Sequence, residues 1–279
     1  MVDTKGQRSG GQKDRYTMGY DATAVQYQQS HTAAKDAGFF LPHLRPGMSL
    51  LDCGCGPGTL TAGLAEIVAP GQVIGIDMEA SQVEIAQTHA DEKGFSNLRF
   101  EVGDVYALSF PDASFDAVFA NALLVHLRHQ VRALREMYRV LRPGGVIGIR
   151  NPDYSGHLLA CSDPLVGKSQ RLLMRLFKHN GATLHTGRHQ RGLLHRAGFV
   201  RIEATAAYDE ASGTSELVRK LATARVALWT RSDRAAQIVK LGWTDRAELR
   251  KISAAWKSWG ESPDAFFARA WGQAVGWKE

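Results

Sequence analysis

The sequence predicts an α/β fold built on a doubly wound, mostly parallel sheet. Three observations predict it. Short apolar runs end in an acid at Leu50–Asp52, Val73–Asp77 and Leu98–Asp104. Stretches with helical spacing lie between the runs, and the connections are short. Alternating strands and helices with short links give parallel strands covered on both faces. Such sheets bind ligands at the carboxyl ends of their strands, where Asp52, Asp77 and Asp104 all fall.

The first strand runs into Asp52-Cys53-Gly54-Cys55-Gly56-Pro57-Gly58. Glycines at alternate positions predict a tight turn whose backbone touches a ligand, because no Cβ blocks the approach. Gly54, Cys55 and Gly56 are the contact candidates. A helix from Thr59 to about Val68 follows, and its free N–H groups and positive dipole end face the same place. Two ligands compete. A dinucleotide fingerprint is G-x-G-x-x-G with pyrophosphate on the helix end. Here the spacing is G-x-G-x-G. Asp52 would repel a pyrophosphate, but it suits a ligand carrying a sulfonium and an ammonium, S-adenosylmethionine (SAM).

Asp77 lies 19 residues after Gly58, where both ligand classes place a carboxylate for the ribose hydroxyls. It also precedes a helix expected from Ala80 to Lys93 and can cap it. The third strand ends in Gly103-Asp104, whose carboxylate can accept from an adenine amino group. Phe115–Ala120 reads as strand four. A helix from Val131 to Leu141 places Leu134, Met137, Tyr138 and Leu141 at helical spacing, and Arg142-Pro143-Gly144-Gly145 stops it. Val146–Ile149 is strand five.

These stretches resemble the class I SAM-dependent methyltransferases, in particular the ubiquinone/menaquinone-methyltransferase-like superfamily. Leu50–Thr61, Val73–Asp77, Arg99–Asp104, Ser114–Leu127 and Leu141–Ile149 carry the resemblance, with Leu-Arg-Pro-Gly-Gly at 141–145 and Val-His-Leu at 125–127. It spans Leu50 to Arg150. It implies a seven-stranded order 3-2-1-4-5-7-6 with strand seven antiparallel. It implies SAM as cofactor, S-adenosyl-L-homocysteine as product, and contacts from the glycine turn, Asp77, Met78, Gly103, Asp104 and Val105. Asn121 joins the cofactor set. With Ala122 it stands where many relatives carry His or Gln, so an acceptor does not transfer from them.

The remaining chain is divided as a disordered tail over 1–18, an N-terminal helical cap over 19–48, a SAM-binding core over 49–211, a helical lid over 212–262 and the last strand over 263–279. Tyr16 and Tyr20 lead into a helix expected from Ala22 to Asp36. Tyr27 and His31 share a face of it and are assigned to the methionine end of SAM or to the acceptor. A helix is expected over Gly187–Ala197, strand six over Phe199–Tyr208, a helical turn opening at Ser262-Pro263-Asp264, and strand seven over Ala268–Trp277. Between the last two strands, Arg246–Trp259 is amphipathic, with Leu249, Ile252, Trp256 and Trp259 on one face. All six tryptophans follow residue 228. They either pack this insert onto the core or offer aromatic faces to a flat, hydrophobic acceptor.

The net charge of +6 is local. Leu165 to Arg201 holds eight Lys/Arg and no acid. Lys168, Arg171, Arg175 and Lys178 line one helix face, opposite Leu172, Leu173, Leu176 and Phe177. The face attracts an anionic partner or is simply solvated. No aromatic stacking platform accompanies it, so nucleic acid is not the expected partner. Three cysteines exclude a disulfide framework, and Cys53-x-Cys55 is not a zinc spacing, so no metal is expected. No apolar run is long enough for a membrane span, and no signal-peptide core is present. A reduced, cytoplasmic protein is expected.

Asn151-Pro152-Asp153-Tyr154 resembles the Asn-Pro-Pro-Tyr box of amine methylases, but it follows strand five rather than strand four, and the match is read as coincidence. Asp153 and Tyr154 are expected to line the acceptor pocket. His126, placed in a helix after strand four, is the candidate base or acceptor-orienting residue. The leading expectation is methyl transfer by in-line displacement to a small-molecule acceptor whose reacting atom (O, N, S or C) is open. The alternatives are an RNA or protein methyltransferase using the 165–201 face, and a non-catalytic SAM-binding regulatory protein.

Overall fold

The computed structural model describes residues 14–210 and 213–279; most of the tail expected over 1–18 lies outside them. Alternation along the central strands explains why both sheet faces are covered. In β1 (Leu50–Cys53) and β2 (Val73–Asp77), Leu51, Cys53, Ile74 and Ile76 face one core. Leu50 and Val73 face the other. β4 (Phe115–Asn121) divides likewise, with Val118 and Ala120 against Ala117 and Phe119. The two-residue period of a strand assigns each neighbour to the opposite layer.

β3 (Leu98–Val102) and β5 (Leu141–Pro152) complete the parallel part. A short β6 (Leu158–Ala160), a long β7 (Val200–Glu210) and β8 (Phe266–Trp277) follow. The order is β3-β2-β1-β4-β5-β8, with β7 on the far side of β8 and β6 pairing beyond the end of β5. β8 runs antiparallel to β5, β6 and β7. Counted past the short β6, β7 and β8 are strands six and seven of the expected order.

One face carries α2 (Ala33–Asp36), α3 (Thr59–Val68) and α4 (Ala80–Glu92). The other carries α5 (Gln130–Val140) and α7 (Thr186–Ala197). A third apolar cluster joins α6 (Pro164–His179) to the insert helices α8 (Ser215–Arg231), α9 (Asp233–Lys240) and α10 (Arg246–Glu261). Side chains of Thr214, Ser232 and Asp245 cap the three insert helices by accepting from backbone N–H groups in their first turns.

Five local expectations are corrected. The helix expected from Ala22 to Asp36 is split into α1 (Ala22–Gln29) and α2. The Ser30 hydroxyl donates back to the Tyr27 carbonyl at 2.6 Å, and Thr32 caps the new helix. Such short side chains compete with helical backbone bonds. His126 sits in a 3-10 turn (Leu124–His126), not an α-helix. Leu141 opens β5 rather than closing α5, with a register shift between Phe115 and Ala117 accommodating residues 142–145. Residues 262–265 form a turn closed on Ser262, without a helix. Asp14 to Met18, expected within the tail, packs as a strap across the strand ends.

Candidate active site

The glycine turn is held in place by β2. Gly54 and Cys55 donate their N–H groups to the Ile76 carbonyl at 2.8 and 3.0 Å. Asp77 then takes one N–H on each carboxylate oxygen, from Gly56 at 3.0 Å and Glu79 at 3.0 Å. Burial raises the Asp77 pKa, partly offset by these donors. Gly56 and Gly58 both have left-handed backbone, with φ of +53° and +79°. Their surroundings differ. A Cβ on Gly58 would lie 2.6 Å from Phe100 Cζ and 2.7 Å from Ala86 Cβ, whereas one on Gly56 meets nothing within 4 Å. Gly58 is needed by the protein's own packing. Gly56 leaves open space beside Asp77 that fits a nucleoside laid across the turn.

Asp52 does not present its carboxylate to this space as the sequence suggested. It is buried and accepts the Thr61 hydroxyl at 2.6 Å, tying β1 to α3. Burial pushes its pKa up to about 7 against that hydrogen bond, so it is a weak anion at neutral pH. The Cys53 and Cys55 thiols are buried, and burial raises both pKa values.

At the next strand ends, Met78 is exposed, Gly103 donates to the Asp77 carbonyl at 2.9 Å, and exposed Asp104 accepts the Tyr106 N–H at 2.8 Å. Val105 packs on the core beneath. The strap crosses above. Asp14 accepts from the Tyr106 hydroxyl at 2.5 Å and from the Arg128 N–H at 3.1 Å. Gln28 donates to the Tyr16 hydroxyl at 2.7 Å, and Asn180 to Thr17 at 3.1 Å. A cleft of about 590 Å³ separates strap, Met78–Glu79 and α9.

After β4, Ala122 adopts φ +53°, a strained conformation of the kind that gathers at functional sites. The turn that follows buries His126. Its ring meets Tyr16 at 4.7 Å and Phe177 at 6.0 Å, and its Nδ1 has no hydrogen-bond partner. Burial pushes its pKa down to about 4. It is neutral at neutral pH and a poor proton acceptor.

After β5, the Asn-Pro-Asp-Tyr run is used internally. Asn151 is fully buried, accepting from Val125 N–H and donating to Gln190, both at 3.2 Å. Asp153 is clamped by Arg188 through two bonds of 2.6 Å. Its pKa is lowered, burial being outweighed by that guanidinium. Its carboxylate, expected to line the acceptor pocket, is instead engaged by Arg188. Tyr154 remains at a cavity of about 160 Å³, with His157, Phe177 and Arg225. Its ring lies 5.0 Å from Phe177, so an aromatic wall continues from Tyr16 through His126 to Tyr154.

Tyr27, His31 and Asn121 gather around a group the sequence reading missed, the buried Arg150 of β5. Its Nη1 lies 3.1 Å from Asp36 and 3.3 Å from Asn121 Oδ1, and its Nη2 donates to Asp209 at 2.8 Å. The guanidinium stacks on Trp271 at 3.6 Å. His31 lies 3.1 Å from Asp36 on the opposite flank, and the Tyr27 and His31 rings touch at 5.1 Å. Tyr27 accepts a short hydrogen bond from Arg269. An arginine continuing the apolar run Val146–Ile149 was the available signal: a charge there needs buried partners.

The tryptophans mostly pack. Trp229, Trp256, Trp259 and Trp271 are buried, with Trp256 donating to Ser169 and Trp259 to the Ala160 carbonyl. The basic face of α6 is partly engaged: Lys168 pairs with Glu248, and Arg175 stacks on Trp243 at 4.0 Å.

Strand order, glycine turn and the acid at the second strand end define a class I SAM-dependent methyltransferase, whose methyl donor is SAM. Residues 44–198, more than half of the chain, match the methyltransferase-domain family, and the chain belongs to it. It is 31% identical to the probable methyltransferase ltbC of Aspergillus luteorubrus, over 97% of this chain and 99% of that one. The fold resembles YcgJ of Bacillus subtilis, with TM-score 0.55 and 21% identity over 88% of this chain and 98% of that one. It also resembles phosphoethanolamine N-methyltransferase 2 of Haemonchus contortus, solved with S-adenosyl-L-methionine, with TM-score 0.51 and 19% identity over 84% of this chain and 49% of that one. No described helix is long and apolar enough to cross a membrane.

Proposed function

We propose that this chain methylates a small-molecule acceptor bound under the insert helices. The observation that carries the reading is the cavity of about 160 Å³ beyond the strand ends, walled by Tyr154, Phe177 and Arg225. It suits a small organic group and not a polymer segment. The RNA or protein reading loses support because Lys168 and Arg175 already have partners within the protein. All three cysteines are free, one of them exposed, which suits a reducing cytoplasm.

SAM, when bound, supplies a methyl carbon attached to a sulfonium leaving group. The backbone of Gly54, Cys55 and Gly56 would hold the donor, and the second lone pairs of Asp77 would accept from its ribose hydroxyls. Met78, Gly103, Asp104 and Val105 would hold the base, and Asn121 the methionine end. Asp52 acts one layer back by holding the turn against α3. Tyr27 and His31 stand behind the acceptor, tied to Arg269 and Asp36. Buried His126 orients the acceptor as a neutral ring, and the Tyr154 hydroxyl offers a hydrogen bond. Asp153 positions Tyr154 through its clamp on Arg188. Alignment of this kind can supply up to ~7–11 kcal/mol of the barrier reduction.

The test is to supply the protein with SAM and a metabolite extract and to search by mass spectrometry for products gaining one methyl group. A product made by wild type and lost in Asp77→Ala is expected. SAM binding with no product across broad extracts would instead identify a non-catalytic SAM-binding protein.

A further inference from the structure

We infer that the acceptor carries an anionic group, a carboxylate or a phosphate, received by Arg225 at the cavity beside Tyr154, with Arg234 and Arg269 adding to the positive field there. The inference deepens the small-molecule reading and rests on it for the identity of the ligand as acceptor. The three arginines come from α8, α9 and β8. Arg225 lines the 160 Å³ cavity beside Tyr154, and Arg234 lines the 590 Å³ cleft beside Tyr16 while being only 7% exposed. In all three the Nε atom is buried without a hydrogen-bond partner among the described residues.

The side chains in contact with Arg225 and Arg269 are neutral. The Arg225 guanidinium lies 5.4 Å from the ring centres of both Trp256 and Phe267. Arg269 sits over the Tyr27 ring at 5.0 Å and donates to its hydroxyl. Arg234 approaches the Met18 sulfur at 3.5 Å. Among the described residues no carboxylate forms an ion pair with any of the three. Asp209 stands opposite Arg269 across the β7–β8 ladder but pairs with Arg150. Arg234 differs: it shares its cleft with Asp14, Asp21, Glu79 and Asp233, of which Asp21 acts on it most strongly, so the anion is placed on the Arg225 side.

Arg269 and Arg234 each act on Arg225 and on Tyr154. Burial, then repulsion from Arg269 and Arg234, pushes the Arg225 pKa down to about 10. Arg234 and Arg269 both act on the Tyr154 hydroxyl at the cavity wall. A buried guanidinium such as Arg225, repelled by like charges and lacking a carboxylate partner among the described residues, is unfavourable, and a ligand anion reverses the sign of that interaction. A guanidinium also offers paired N–H groups that match the oxygens of a carboxylate or phosphate.

The test uses the full chain, with benzoate, phenyl phosphate and neutral benzyl alcohol as probes in calorimetric titrations at one ionic strength. Benzoate or phenyl phosphate should bind at least about tenfold tighter than benzyl alcohol, as expected when charge-assisted bonds carry the affinity. The tighter anion distinguishes carboxylate from phosphate. Arg225→Gln should remove that preference, Arg225→Lys should retain part of it, and Arg250→Gln on the exposed side of α10 should leave it intact. If Arg225→Gln fails to fold, Arg234→Gln is read in its place. Equal binding of the neutral probe, no anion binding to wild type, or equal loss in Arg250→Gln overturns the inference. A parallel SAM titration separates the two readings: anion binding without SAM binding refutes the methyltransferase role and leaves the anion site standing.

Discussion

Two glycines separated by a single residue, Gly56 and Gly58, offer a sharp test of the turn, because the same change should act on different properties. Gly58→Ala must hold φ near +79° and place a Cβ 2.6 Å from Phe100 and 2.7 Å from Ala86. The left-handed backbone costs roughly 1–2 kcal/mol for an L-residue. Overpacking of a filled core adds about 1–3 kcal/mol. Gly56→Ala bears only the backbone penalty, since its Cβ meets nothing within 4 Å. It should therefore be the more stable variant in urea unfolding, yet lose SAM affinity by at least about tenfold, or ~1.4 kcal/mol, because its methyl enters the ligand's space. Calorimetric titration of both folded variants decides. A Gly56→Ala protein that binds SAM like wild type, or one that is no more stable than Gly58→Ala, would refute the division of labour between the two positions.

Two further outcomes concern stability. His126 has an ordinary pKa of 6.5 when unfolded and about 4 when buried, so the unfolded chain takes up a proton first as the solution is acidified. Its contribution to stability is complete above pH 6.5 and falls as pH drops toward 4, by up to roughly 3 kcal/mol. His126→Leu should flatten that slope in pH-dependent unfolding, leaving the similar share of His157, also pushed down to about 4 by burial; an unchanged slope would show that His126 is protonated in the fold. Arg150→Met should cost about 3–5 kcal/mol by leaving Asp36 and Asp209 buried without their cation, and adding Asp36→Asn and Asp209→Asn should recover much of it. A loss below about 1 kcal/mol in the single variant would mean the network is solvated.

The strands and the glycine turn were legible because their signals are local. Leu50–Cys53, Val73–Asp77 and the turn at Gly54–Gly58 are each determined by neighbouring residues and by backbone sterics. The break between α1 and α2 was also local, but it depended on Ser30 and Thr32 choosing backbone partners over the helix, a competition that apolar spacing does not register. The direction of Asp52 was not legible. Its position before the glycines is equally consistent with facing a ligand and with facing Thr61, nine residues on. Asp153 was similarly ambiguous until Arg188, 35 residues away, closed on it.

By itself the sequence determined the order of the main strands and helices along the chain, the glycine turn and the acid at Asp77, because periodicity and chain geometry constrain them within short windows. Only the tertiary structure decided how the insert helices pack. It turned most tryptophans into packing, engaged Lys168 and Arg175, hid His126 from water, and brought Arg225, Arg234 and Arg269 together from three separate elements. Charges distant in sequence acquire a shared field only when folding removes the water between them.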